Sequence, residues 1–84
     1  MVSKEAIVAN EKGLRARSAT EVAKKSVCYK SKISINFNGR KANAKSIMNI
    51  ISLGIFNKAK ITVEASGDDE ELAVEELVKL VQVV

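Results

Sequence analysis

The chain of 84 residues contains no histidine and no proline, one cysteine, and only three aromatic residues. Without histidine there is no imidazole base, no imidazole metal ligand and no histidine to accept a phosphoryl group. A single cysteine excludes an intrachain disulfide and a thiolate metal cluster, which favours a reducing compartment. We therefore expect no enzymatic activity, no metal and no cofactor, and a core built from Val, Ile, Leu and Ala.

The length predicts one small domain over residues 1–84, with a thin core. The first ten residues, MVSKEAIVAN, hold no long apolar run, so we expect no signal peptide. No segment approaches the roughly 20 apolar residues of a membrane helix. We expect a soluble cytoplasmic protein without membrane insertion.

Basic and acidic residues are concentrated in different parts of the chain. From Lys12 to Lys60 there are twelve Lys or Arg residues and one acid, Glu21, whereas seven acids and one base follow from Glu64 onward. The basic part suggests an acidic or phosphorylated partner. The few aromatic residues do not interleave with the basic ones as a nucleic-acid stacking platform requires, so direct nucleic-acid binding is disfavoured.

The first half of the chain alternates strand and helix patterns. KEAIVAN has strand character, with Ala6 and Val8 on one face, and NEKG supplies a turn. A helix is predicted from Ala16, and Cys28 at its end is expected to be a small hydrophobic residue rather than a reactive thiol. Its predicted apolar stripe consists of Ala16, Ala19, Thr20, Ala23 and Val27, widened by Val22.

The second half gives a clear hairpin and two further helices. Residues Ile33, Ile35 and Phe37 alternate with polar residues, and Asn38-Gly39 predicts a type I′ turn before a return strand near Lys41–Ala44. A short helix is predicted from the N-cap Ser46 to Gly54. A second alternating strand, AKITVEASG, buries Ile61, Val63 and Ala65.

The last helix is predicted within DDEELAVEELVKLVQVV. Asp68 and Glu71 are expected to form a capping box, which explains the acidic cluster better than a cation site does. The predicted buried stripe is Ala73, Leu77, Leu80, Val81 and Val84. The order β-α-β-β-α-β-α predicts an α+β fold, a four-stranded antiparallel sheet covered on one face by three helices.

Two places in the sequence suggest binding. At the start of the first helix, Arg15 and Arg17 place cations where the macrodipole is already positive, which opposes helix stability but suits an anion or an acidic partner. The second is Ser46, an N-cap beside Lys45 and a helix too short to bury all its apolar residues. A phosphate on Ser46 would lie where the helix dipole and Lys45 favour it.

Two stretches of the chain carry recognisable motifs, GLRARSAT at residues 13–20 and NAKSIMNIISLG at residues 43–54. They resemble the patterns G-[IL]-H-A-R-P-A-T and N-x-K-S-I-M-G-x-x-S-L of the histidine-containing phosphocarrier (HPr) family of the bacterial sugar phosphotransferase system. The resemblance covers essentially the whole chain and implies an open-faced β-sandwich. It also implies that Ser46 is the regulatory serine, which HPr kinase/phosphorylase phosphorylates. The form with phosphoserine would then bind a LacI-type catabolite control repressor.

The departures from the family pattern shape the expected function. Arg15 occupies the position of the histidine that accepts phosphate from Enzyme I and passes it to Enzyme IIA proteins, Ser18 replaces the proline, and Asn49 replaces the glycine after Met48. The chain resembles catabolite-repression paralogues without the histidine; an engineered variant also fits. The residues assigned to partner or anion contact are Arg15, Arg17, Thr20, Lys45, Ile47, Met48, Ile51 and Leu53.

Three functions remain open on the sequence. The preferred one is a non-catalytic regulatory module switched by phosphate on Ser46. The second is a phosphotransferase-system carrier that uses another nucleophile. The third is a decoy that binds Enzyme I or IIA proteins without being phosphorylated.

Overall fold

The computed structural model describes all residues from 1 to 84 and confirms the predicted element order. The strands are β1 (Val2–Ile7), β2 (Lys32–Phe37), β3 (Arg40–Asn43) and β4 (Lys60–Ser66), and the helices are α1 (Ala16–Ser26), α2 (Ile47–Ser52) and α3 (Glu70–Val81). The strands form one antiparallel sheet in the order β1-β4-β2-β3. All three helices pack on the same sheet face, as the α+β prediction requires.

The apolar residues that alternate along β2 and β4 are buried, as predicted. Ile33, Ile35 and Phe37 of β2 are buried, as are Ile61, Val63 and Ala65 of β4. Ile35 lies opposite Val63 in the register, so the two central strands present one continuous apolar face to the helices. The predicted turn is also correct, because Asn38 and Gly39 both have positive φ, at 55° and 76°.

The stripe predicted for α1 is partly wrong. Ala16 and Val27 are exposed at the two ends of the helix, while Ser18 and Ser26 are buried with Ala19, Val22 and Ala23. Ser26 can be buried because its hydroxyl donates a 2.8 Å hydrogen bond to the Val22 carbonyl.

Cys28 is exposed, so its prediction as a small hydrophobic residue is also wrong. The reason is the position of the helix end: α1 stops before Cys28, and the next core residue is Tyr29.

The capping box predicted for α3 is absent. The N-cap is Asp69, and its carboxylate accepts hydrogen bonds from the Lys30 N–H at 2.9 Å and from the Ser31 N–H and hydroxyl at 3.0 and 2.5 Å. The pKa of Asp69 is lowered from its ordinary 3.8 chiefly by the Ser31 hydroxyl, then by the Lys30 N–H. These contacts fasten the start of α3 to the segment before β2.

The buried stripe of α3 also differs in part from the prediction. Ala73, Val74, Leu77 and Val81 are buried, whereas Leu80 and Val84 are only partly buried. The predicted return strand is shifted by one residue, because β3 spans Arg40–Asn43 rather than Lys41–Ala44.

Candidate functional site

Arg15 is the N-cap residue of α1 and lies exposed at the helix start, where the sequence predicts it. Its carbonyl accepts the Ala19 N–H at 2.7 Å, but its guanidinium has no acceptor atom with which to cap the helix. The N–H groups of Ala16, Arg17 and Ser18 have no hydrogen-bond partner within the chain. The helix therefore presents free donors beside a cationic side chain.

The buried Ser18 holds this helix start in place. Its hydroxyl accepts the Arg15 N–H at 3.1 Å and donates to the Gly13 carbonyl at 3.0 Å. Gly13 has φ +70°, and a Cβ on it would lie 2.1 Å from the Ile55 carbonyl oxygen. The segment before α1 is thus packed directly against the segment after α2.

An open cleft of about 590 Å³ lies beside the start of α1. Arg15, Arg17 and Lys12 contribute three cationic side chains to its lining, against one acid, Glu21. Thr20 follows on the same helix, half-buried, with its hydroxyl donating to the Ala16 carbonyl at 2.6 Å. The charge of the cleft favours an anion or a carboxylate-bearing surface.

The second predicted place lies at the start of α2. Ser46 is the N-cap, and its hydroxyl accepts the Asn49 N–H at 3.4 Å. Behind it, Ile47, Met48 and Ile51 are 38%, 74% and 36% exposed and form an apolar surface. A six-residue helix buries only its inner side, here Ile50.

Two residues assigned to partner or anion contact, Leu53 and Lys45, are engaged within the fold. Leu53 is only 5% exposed, so its assignment to partner or anion contact is wrong. It follows Ile50 by three residues and falls on the same inner side. The Lys45 ammonium donates to the Tyr29 carbonyl at 2.9 Å, so it would have to leave that carbonyl to meet a phosphate on Ser46.

Sequence reasoning did not single out Phe56. Phe56 is 59% exposed, and its ring meets the buried Phe37 ring in a T-shaped contact, with centroids 5.4 Å apart. Phe56 lines a groove together with Arg15 and Ile51, so it lies between the two predicted places. One indication of an exposed ring was present in the sequence: Phe56, one of only three aromatic residues, lies between the turn-forming residues Gly54 and Asn57.

A comparison with known families covers almost the whole chain. The family model described as "PTS HPr component phosphorylation site" matches residues 2–83. The chain belongs to the HPr family.

Solved structures agree with this membership. HPr from Bacillus anthracis is 38% identical, with a TM-score of 0.93 and 96% of each chain covered. HPr-C-His from Thermoanaerobacter tengcongensis is 37% identical, with a TM-score of 0.92 over 96% of this chain and 91% of that one.

The catabolite repression protein Crh from Bacillus subtilis is 34% identical, with a TM-score of 0.80 over 100% of this chain and 99% of that one. That protein is described as a domain-swapped, intertwined dimer. Relatives thus include both phosphocarriers and a catabolite repression protein.

Membership identifies an HPr-like protein related to the phosphotransferase system, a family of phosphocarrier and regulatory proteins. The family suggests partners from that system, such as Enzyme I or IIA proteins. None of the three helices of this HPr-family chain has the length and apolar character needed to cross a membrane.

Proposed function

We propose that this HPr-family chain is a non-catalytic regulatory binding module controlled by phosphorylation of Ser46. The proposal is supported by Arg15 at the N-cap of α1, because the motif GLRARSAT aligns this residue with the phosphoacceptor histidine of the family pattern. A guanidinium stays protonated and has no ring nitrogen that can attack a phosphohistidine. The phosphoryl relay therefore has no acceptor at this position.

Ser46 supports the regulatory part of the proposal by its place in the fold. It is an N-cap serine beside the exposed apolar side chains of Ile47 and Met48. A phosphate there adds about −1.5 to −2 charge next to the first turn of α2, near the Asn49 N–H. The phosphate would add a charged group beside the apolar surface of Ile47 and Met48 without disrupting α2.

The partners that fit this role are those implied by the family resemblance. HPr kinase/phosphorylase would modify Ser46 with ATP, and a LacI-type catabolite control repressor would bind the phosphorylated form. Asn49 is the residue of this surface that departs from the family pattern. It is exposed, and it adds a polar side chain where that pattern has glycine.

Two labelling reactions test the proposal. With phosphoenolpyruvate and Enzyme I, the chain should gain no acid-labile phosphate while an HPr with histidine is labelled in the same mixture. With ATP and HPr kinase/phosphorylase, it should gain one phosphate, lost in Ser46→Ala. Ser52→Ala is the matched control, because Ser52 is an exposed serine at the other end of α2.

Either reaction can overturn the proposal. Enzyme I-dependent labelling comparable to that of HPr would make the chain a carrier with another nucleophile. Kinase labelling that persists in Ser46→Ala would move the switch to another residue.

A second candidate function is a decoy that occupies Enzyme I or IIA proteins. The free N–H groups at the start of α1 and the three cationic side chains of the adjacent cleft favour it, because they suit acidic surfaces. A pull-down with phosphorylated and unphosphorylated chain separates the two functions. Binding that does not depend on phosphate at Ser46 favours the decoy.

A further inference from the structure

An open cleft of about 370 Å³ lies where β2 begins and β3 ends. Two residues of its lining, Ile33 and Ala42, are buried in the core. The strand residues that alternate with them therefore turn their side chains to the sheet face that carries no helix. The polar and charged residues that line the cleft are Lys32, Ser34, Lys41, Asn43 and, just beyond β3, Lys45.

The polar side chains of this cleft offer mainly hydrogen-bond donors. The side-chain oxygen of Asn43 already accepts the Lys45 N–H at 2.9 Å, which leaves the NH2 group of Asn43 free to donate. The Ser34 hydroxyl is half-buried and has no hydrogen-bond partner within the chain. The ammonium groups of the three lysines can only donate. This composition suits an anion and disfavours a metal ion.

The positive charge of the cleft is largely uncompensated. No Asp or Glu lines it, and Lys32 has no ion pair in the fold. The Lys45 ammonium donates to the uncharged Tyr29 carbonyl at 2.9 Å, so its charge also remains. A lysine on the edge strand β3 has an ordinary explanation, because it discourages pairing with another chain. That explanation does not apply to Lys32, which lies on the inner strand β2.

Glu64 is the acid that adjoins the cleft, on β4 opposite Ser34 in the register. Its carboxylate lies 3.8 Å from the Lys41 ammonium and accepts a hydrogen bond from the Asn36 amide. The Lys41 side chain is 60% exposed, so it is free to turn from Glu64 towards an anion in the cleft. Glu64 therefore opposes anion binding, because it competes for Lys41 and repels a second negative charge.

We propose that this cleft binds a doubly charged phosphate group, either as free phosphate or as a small phosphate monoester. Lys32 and Lys41 supply the positive charge, while the Ser34 hydroxyl and the Asn43 amide donate hydrogen bonds to the phosphate oxygens. The cleft volume lies at the lower end of the range for small-molecule sites, about 300–1,000 Å³. Ser46 and Arg15 do not line the cleft, so the proposal does not depend on the proposed switch.

The probes are inorganic phosphate and glycerol phosphate, titrated into the isotope-labelled full chain at constant ionic strength and followed by amide chemical shifts. The titration is run at about pH 7.5, where a phosphate monoester carries nearly two charges. Saturable shifts should map to residues 32–34 and 41–45, with dissociation constants in the millimolar range, because exposed ion pairs each contribute little. Glycerol should cause no shifts. Tighter binding of glycerol phosphate than of inorganic phosphate identifies the monoester as the ligand, and equal binding identifies free phosphate.

Four variants separate a built site from general positive charge. Lys32→Gln should weaken binding by about threefold to fivefold, and Ser34→Ala, which leaves the charge unchanged, by about threefold. Lys4→Gln is the matched control and should leave the affinity unchanged, because Lys4 is also an exposed lysine without an ion pair but lies on β1 at the opposite edge of the sheet. Glu64→Gln should instead tighten binding by about threefold, since it removes the competing charge and keeps an oxygen for the Asn36 amide.

The location of the shifts and the signs of the variant effects decide the proposal. Shifts confined to residues 16–18 at the start of α1, or spread evenly around every exposed lysine, would overturn it. Equal affinities of Lys32→Gln and Lys4→Gln would do so too, and this pair decides the matter even if Glu64→Gln melts at a lower temperature. Labelling at Ser46 by the kinase is unaffected by any of these outcomes, so the proposed function is tested separately.

Discussion

The backbone N–H of Arg15 donates to the hydroxyl of Ser18 at 3.1 Å, and the same hydroxyl donates to the Gly13 carbonyl at 3.0 Å. The resemblance of GLRARSAT to the family pattern aligns Ser18 with a proline, whose side chain could form neither of these bonds. The hydroxyl therefore links the start of α1 to the turn before it. The orientation of Arg15 depends on a residue that is itself buried.

Ser18→Ala should destabilise the chain by about 1–2 kcal/mol, because it leaves the Arg15 N–H and the Gly13 carbonyl without their partner. Urea unfolding measures the change. Ser52→Ala is the control: its hydroxyl also donates to a backbone carbonyl, that of Asn49, but is exposed, so water replaces the bond. Equal stabilities of the two variants would contradict the role given to Ser18.

Gly13→Ala should destabilise the chain more than Gly39→Ala. Both glycines have positive φ, so each alanine meets a backbone cost of about 1–2 kcal/mol. At Gly39 the new Cβ enters open space, whereas at Gly13 it meets the Ile55 carbonyl oxygen at 2.1 Å. We expect an additional loss of about 1–3 kcal/mol from the forced backbone shift.

The two glycine variants are compared by thermal or urea unfolding. A difference in unfolding free energy below about 0.5 kcal/mol would mean that the backbones at Gly13 and Ile55 move apart easily, contrary to the tight packing described for them.

Asp69 should make stability depend on acid pH. Its folded pKa lies below the ordinary 3.8, chiefly because the Ser31 hydroxyl and the Lys30 N–H donate to its ionised form. A lowered folded pKa stabilises the fold above the unfolded pKa, and this contribution disappears as the pH falls through the folded pKa. The chain should therefore lose stability below about pH 4.

The test compares unfolding of the unmodified chain and Asp69→Asn between pH 7 and pH 2.5. The stability difference between them should shrink as the pH falls through this window. Glu5→Gln provides a matched control, because Glu5 lies exposed on β1 with one surface ion pair to Lys60. A constant difference between Asp69→Asn and the unmodified chain would refute the link.

Arg15→His should restore acceptance of phosphate. An imidazole at the N-cap of α1 supplies the missing nucleophile, and Arg17 with the free first-turn N–H groups can bind the incoming phosphoryl group. Acid-labile label from phosphoenolpyruvate and Enzyme I should appear in this variant and be absent from the unmodified chain. Arg15→Gln, which also removes the charge but adds no imidazole, should remain unlabelled.

The elements with strong local signals were predicted from sequence. The alternation in β2 and β4 and the Asn38-Gly39 turn are local features, so no distant contact was needed to find them. The predicted buried stripe of α1 omitted Ser18 and Ser26, because polar residues were expected to be exposed. Both can be buried, since their hydroxyls donate to nearby backbone carbonyls. The prediction of the α3 cap failed because Asp69 accepts hydrogen bonds from Lys30 and Ser31, which precede it by 39 and 38 positions.

The absence of an imidazole at position 15 is determined by the sequence alone, because a guanidinium stays protonated and offers no free ring nitrogen in any fold. Which apolar residues of the 46–56 segment face solvent was decided only by the tertiary structure, which buries Ile50 and Leu53 and leaves Met48 and Phe56 exposed. Exposure depends on what packs against each side of a short helix, and here the packing includes a backbone hydrogen bond between residues 14 and 55. No local pattern encodes a contact across 41 residues, so the groove exists only in the folded chain.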